Sequence, residues 1–99
     1  MSLPASLAVA LGEYDTGWHE PAPSLERATS IIASSAAVGA RLVVLPEMCA
    51  TGFTMDSARW AEDPRGDSAR VFADSARRHD VYVLAGLATT RSGKRYNSA

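Results

Sequence analysis

The stretch best placed for chemistry reads Leu42-Val43-Val44-Leu45-Pro46-Glu47-Met48-Cys49, with one carboxylate and one thiol two residues apart. Leu42 to Leu45 is continuously apolar and β-branched at its centre, the pattern of a parallel strand covered on both faces. A carboxylate just past the carboxyl end of such a strand lies in the crevice where open α/β sheets bind ligands, and Pro46 fixes the backbone presenting it. Glu47 is therefore the leading functional residue, although by pattern alone a lone glutamate after a strand is more often a surface or capping residue, so periodicity does not settle its role. Cys49 is the tempting nucleophile because it is the only thiol in the chain.

Other candidates carry less. Phe53, Met55 and Trp60 are large apolar residues for a loop, and they either line a substrate pocket or cover the sheet edge. Asp15, His19 and Glu20 could be drawn as metal ligands, but Gly17 and Pro21 break the helix that would align them, and no metal site is expected. Gly66-Asp67-Ser68 resembles the serine block of GDSL-type esterases. It follows Ala61-Glu62-Asp63-Pro64-Arg65 rather than a strand, and no later Asp-x-x-His supplies a base, so it reads as a helix cap. His79 is read as a helix-end cation. Neither Gly-x-Gly-x-x-Gly nor a phosphate-loop Gly-Lys-Ser/Thr occurs, which argues against a nucleotide module.

These residues need elements to hold them. Ser6 to Leu11 is short and mostly apolar, followed by Gly12, and reads as a first strand. After a turn-rich stretch through Pro21 and Pro23, Ser24 is placed to cap a helix with Glu26 in its first turn. That helix shows Leu25, Ala28, Ile32 and Ala36 on one face and Gly39 as its left-handed stop. A second helix begins near Asp67 as N-cap, sets Ala69, Phe72, Ala73 and Ala76 on one face, and ends in Arg77, Arg78 and His79. Val81 to Leu87 repeats the buried-strand pattern, and Ser92-Gly93 reads as a hairpin turn between Thr89-Thr90 and Arg95-Tyr96. An α/β layered fold follows, with right-handed crossovers between parallel neighbours. Two helices cannot cover both faces of the four-stranded sheet this implies, so more protein is expected to pack against it.

The composition narrows the classes. Ninety-nine residues allow one domain at most, and size scaling gives about 64% burial, a modest core. The apolar content is thin, because 18 of the residues are alanine and only 19 are Leu, Val, Ile or Phe. A net charge of -1 supplies no basic stripe, so no nucleic-acid partner is expected. A single cysteine suits a reducing compartment, and neither a membrane-length apolar run nor a signal-peptide pattern occurs; the expectation is a soluble cytoplasmic protein with no membrane partner. Met1-Ser2-Leu3 carries no weight in this reading.

Taken together, Gly39-Ala40 leading into Leu42-Val43-Val44-Leu45-Pro46-Glu47 resembles the glutamate motif of the nitrilase superfamily, the carbon-nitrogen hydrolases. Ser24-Leu25-Glu26-Arg27-Ala28 is similar to that family's first-helix pattern, and Tyr96-Asn97-Ser98-Ala99 to its next strand. Thr51-Gly52-Phe53 with Met55 resembles the loop after the glutamate, most like the omega-amidase-type branch. Glu13 stands where many members end the first strand in Gln.

The resemblance implies the N-terminal portion of a nitrilase-like αββα four-layer sandwich, with residues 1–99 an incomplete domain. It implies a Glu-Lys-Cys triad that cleaves small linear amides through a thioester, with Glu47 as general base and no cofactor or metal. The family's lysine and nucleophilic cysteine fall beyond Ala99; Lys94 is not at the lysine motif, and Cys49 sits where members carry an aromatic or aliphatic residue. Cys49 is thus read as a small apolar loop residue, and Phe53 and Met55 as contacts for the acyl chain of the amide. A homo-oligomer is expected of the full-length protein. The alternative is a catalytically inactive α/β fragment, an interaction or assembly module using its sheet edge or apolar face.

Overall fold

The apolar run Leu42–Val44 forms β2, the middle strand of a three-stranded parallel sheet between β1 (Val9–Leu11) and β3 (Tyr82–Leu84). The computed structural model describes residues 6–99, so Met1 to Leu3 lie outside the described residues. Between β1 and β2 runs α1 (Pro21–Ala37); between β2 and β3 come a loop, the single-turn α2 (Ser57–Trp60) and α3 (Asp67–His79). β4 (Leu87–Arg91) and β5 (Lys94–Ser98) close the order as an antiparallel hairpin.

Register sets which side chains meet the helices. Val9 pairs with Leu42 and Leu42 with Tyr82, while Ala10, Val43 and Val83 form the next row. Because side chains alternate across a strand, the Ala10-Val43-Val83 row points one way and its flanking rows the other. The middle row packs into the core formed by Ala28 and Ile32 of α1, Phe72 of α3, Leu45 and Cys49. The opposite face stays open, with Leu11 75% and Tyr82 73% exposed. Both long helices therefore cover one side only, and α1 packs against α3 there.

Several expectations are corrected. The first strand is Val9–Leu11 rather than Ser6 to Leu11. The Val81-to-Leu87 run is split at Ala85-Gly86, so the strands form a three-stranded sheet and a separate hairpin instead of one four-stranded sheet. α1 starts at Pro21, three residues before Ser24, with prolines at the first and third helical positions where a missing N–H costs nothing. Ser24 is buried within the first turn, where its Oγ accepts the Gly17 N–H at 2.9 Å, and Glu26 lies beyond that turn. Asp67 is the first residue of α3 and Gly66 its N-cap; the side chain that caps is Glu62, whose Oε1 accepts the Ser68 N–H at 2.9 Å. On α3, Phe72 is buried but Ala73 is exposed.

Local stop signals behave as read. Gly39 follows α1 at φ 97°, and Ser92 (φ 51°) and Gly93 (φ 75°) turn the hairpin with both central residues left-handed. Among the described residues, no helix is long and apolar enough to cross a membrane.

The largest fully buried side chain is Ile32, wedged between β2 and α3 in the core cluster. Ile32→Ala is expected to lower unfolding stability by about 2–5 kcal/mol, measured by urea denaturation; a loss below ~1 kcal/mol would show that this core does not carry the fold.

Candidate active site

Glu47 stands one proline past Leu45, just beyond the carboxyl end of β2, and its side chain is exposed. Its backbone is held from the neighbouring strand. The Leu45 N–H donates to the Leu84 carbonyl at 2.8 Å and the Cys49 N–H to the Gly86 carbonyl at 2.9 Å. Between those two bonds, Gly86 comes so close that a Cβ there would lie 2.8 Å from the Glu47 Cα and 3.2 Å from the Pro46 carbonyl oxygen. Only glycine permits this approach, because the neighbours are backbone atoms that cannot swing away.

The carboxylate is held from the hairpin. Asn97 Nδ2 donates to Glu47 Oε1 at 2.9 Å. Sequence reasoning missed this contact, which spans 50 residues. The signal it could have used was the two-residue alternation of β5, which sets Arg95 and Asn97 on the same face. Arg95 Nε also donates from that face, to Ser57 Oγ at 3.0 Å.

Met48 adopts φ 48°, a left-handed conformation that turns the chain sharply after Glu47, and its carbonyl accepts the Gly52 N–H at 2.9 Å. The loop that follows is pinned by an aromatic stack. The His19 ring lies between Trp18 and Trp60, with ring centroids 4.4 Å and 4.6 Å away. His19 Nε2 shares a 2.6 Å hydrogen bond with Thr54 Oγ1, and the His19 N–H donates to the Thr51 carbonyl at 3.0 Å. Trp60 thus packs in α2 against His19. Phe53 and Met55 alternate with buried Thr54 and project outward, 66% and 95% exposed.

Cys49 lies two residues from Glu47 and points the other way, fully buried in the helix-side core. Burial pushes its thiol up from 9.0, with the Tyr14 hydrogen bond opposing only in part. The Tyr14 hydroxyl donates to the Cys49 carbonyl at 2.7 Å, and burial likewise pushes that phenol up. A protonated, enclosed thiol is a packing residue rather than a nucleophile.

Residues 8–99 match the sequence profile of the family described as carbon-nitrogen hydrolase. Over 85 residues the chain is 33% identical to a protein named nitrilase from Pyrococcus abyssi (strain GE5 / Orsay), covering 81% of this chain and 32% of that one. A crystal structure of a CN-hydrolase superfamily protein from Xanthomonas campestris, with an arsenic adduct in its active site, is similar with a TM-score of 0.83. That match is 24% identical and covers 92% of this chain and 34% of the other, so it speaks for the fold alone. It bears out the expected fold class, an N-terminal portion of a nitrilase-like α/β sandwich. The chain spans about a third of the length of these relatives.

A thiol whose folded value lies above its unfolded one stabilises the fold fully below about 9.0, and that contribution fades as pH climbs toward the folded value. Unfolding stability is expected to decline above pH ~9, and an aromatic disulfide reagent at pH ~8 is expected to label native Cys49 at least ~100-fold more slowly than unfolded chain. Equal labelling rates would show the thiol to be accessible.

Proposed function

Since the chain belongs to the carbon-nitrogen hydrolase family, whose profile its residues 8–99 match, we propose that it forms the N-terminal part of an amidohydrolase in which Glu47 is the general base. The observation that carries this reading is the placement of Glu47 at the carboxyl end of the middle strand, exposed, with Oε1 held by Asn97. Oε2 has no protein partner among the described residues and is free to exchange a proton.

The proposed substrate is a small linear amide, and the triad is completed by a lysine and a cysteine from beyond Ala99. Glu47 takes the thiol proton as sulfur bonds to the amide carbonyl carbon. The lysine and a backbone N–H hold the tetrahedral oxyanion. Collapse breaks the C–N bond, and the departing ammonia or amine leaves with the proton that Glu47 held. Water then attacks the thioester, Glu47 taking its proton, and the acid is released as the thiol reforms. The burial of Cys49, which pushes its thiol up from the ordinary value, supports a packing role for it rather than the nucleophile's. Support for amides over nitriles is the resemblance of the Thr51-Gly52-Phe53 and Met55 loop to that of the omega-amidase-type branch; the two apolar side chains of this loop stand exposed.

In the complete enzyme, Glu47→Gln keeps the shape and removes the base. It is expected to lower kcat by on the order of 10²- to 10⁴-fold on amides, and turnover within about threefold of wild type would refute the assignment. Phe53→Ala is expected to raise KM for longer acyl amides by about 10-fold with less effect on the shortest, in line with the ~1–3 kcal/mol at stake in an apolar contact. An unchanged profile across acyl lengths would remove Phe53 from the pocket.

A further inference from the structure

We infer that Asn97 is the positioning residue for Glu47: its side-chain amide holds one carboxylate oxygen so that the other is aimed at the reacting proton. This rests on Glu47 acting as the base. The assignment of the contacting atom is chemically forced, because an ionised carboxylate only accepts hydrogen bonds and the group 2.9 Å from Oε1 must donate.

Both ends of this bond are fixed by backbone. On one side, Glu47 is locked by Gly86 and by the two strand-to-strand bonds flanking it. On the other, Asn97 sits opposite Ala88 in the hairpin, and the hairpin is docked through Glu62, whose N–H donates to the Ala88 carbonyl at 2.9 Å and whose carbonyl accepts the Thr90 N–H at 2.7 Å. Arg95, two residues earlier on the same face, ties β5 to Ser57. A hydrogen bond between two exposed side chains would ordinarily lose much of its worth to rotamer entropy; here the search is already restricted on both sides.

The choice of an amide suits the task. Its N–H neither gains nor loses a proton across the working pH range, so it stays a donor while Glu47 takes a proton from the thiol, yields it to the leaving amine and takes another from water. A lysine in its place would hold the oxygen by charge and weaken the base. The neutral donor orients Oε1 and leaves Oε2 to do the exchange.

The test uses the complete enzyme with an amide substrate. Asn97→Ala is expected to reduce kcat on the order of 10- to 100-fold with KM within about threefold. Asn97→Asp keeps the volume, removes the donor and sets a second carboxylate against Glu47; it is expected to lose at least as much. In a Glu47→Asp background, whose shorter carboxylate no longer reaches the amide, Asn97→Ala is expected to cost less than about threefold. Packing alone would give a different pattern, with Asp restoring activity and the loss appearing as a lowered Tm. If Asn97→Ala or, where that variant fails to fold, Asn97→Asp keeps kcat within about threefold while Glu47→Gln is inactive, the positioning role is overturned and the base assignment stands. If Glu47→Gln is active, both fall.

Discussion

The structure turns on how closely two strand ends approach. After β2 and β3 stop, their chains continue side by side, Leu45 bonded to Leu84 and Cys49 to Gly86, with no room between them for a single methyl group. That contact fixes where the Glu47 backbone lies, and it does so with atoms that have no rotamers. A side-chain brace in the same place would flex; two peptide planes in contact do not. Everything else about the site is arranged around a carboxylate whose root is immobile.

The helix-side core enforces the approach from below. Cys49 is one residue of the turn after Glu47 and also one of the buried residues packed with Ile32 and Phe72. Pulling Glu47 out of place would drag Cys49 from its enclosure, so burial of a small apolar side chain restrains a polar neighbour. From the other side, the His19 stack and Thr54 restrain the loop, leaving Phe53 and Met55 as its outward-facing apolar groups. The same loop is thus rigid at alternate residues and presented at the others.

Features with local causes were legible in the sequence. The run Leu42 to Leu45, the Gly39 stop and the Ser92-Gly93 turn each depend on a few adjacent residues and reappear in the structure. α1 starts earlier than its capping pattern predicts because Pro21 and Pro23, common turn formers, are both tolerated in the first turn of a helix. The break at Ala85-Gly86 was hidden inside an apolar run, since it exists to meet the chain after β2 and not for any local reason. Glu47 could be singled out by position, but its partner Asn97 could not, because the pair depends on how the hairpin docks. The Asp67 cap differs for a local reason: Glu62, in the loop before α3, reaches the helix end from outside it.

Glu62 joins two separate requirements in one residue. Its peptide N–H and carbonyl seat the hairpin between Ala88 and Thr90, while its carboxylate accepts from the Ser68 N–H and hydroxyl at 2.9 Å and 2.5 Å. The first requirement is blind to the side chain and is met by any residue except proline. The second is blind to the hairpin and asks only for an acceptor of the right reach. Drift at this position therefore has two distinct outcomes. Most replacements would loosen the first turn of α3 and leave the docking intact, whereas proline would remove one of the two bonds that seat β4 and, through β4, the paired strand that carries Asn97, so damage at Glu62 could reach Glu47 without touching it.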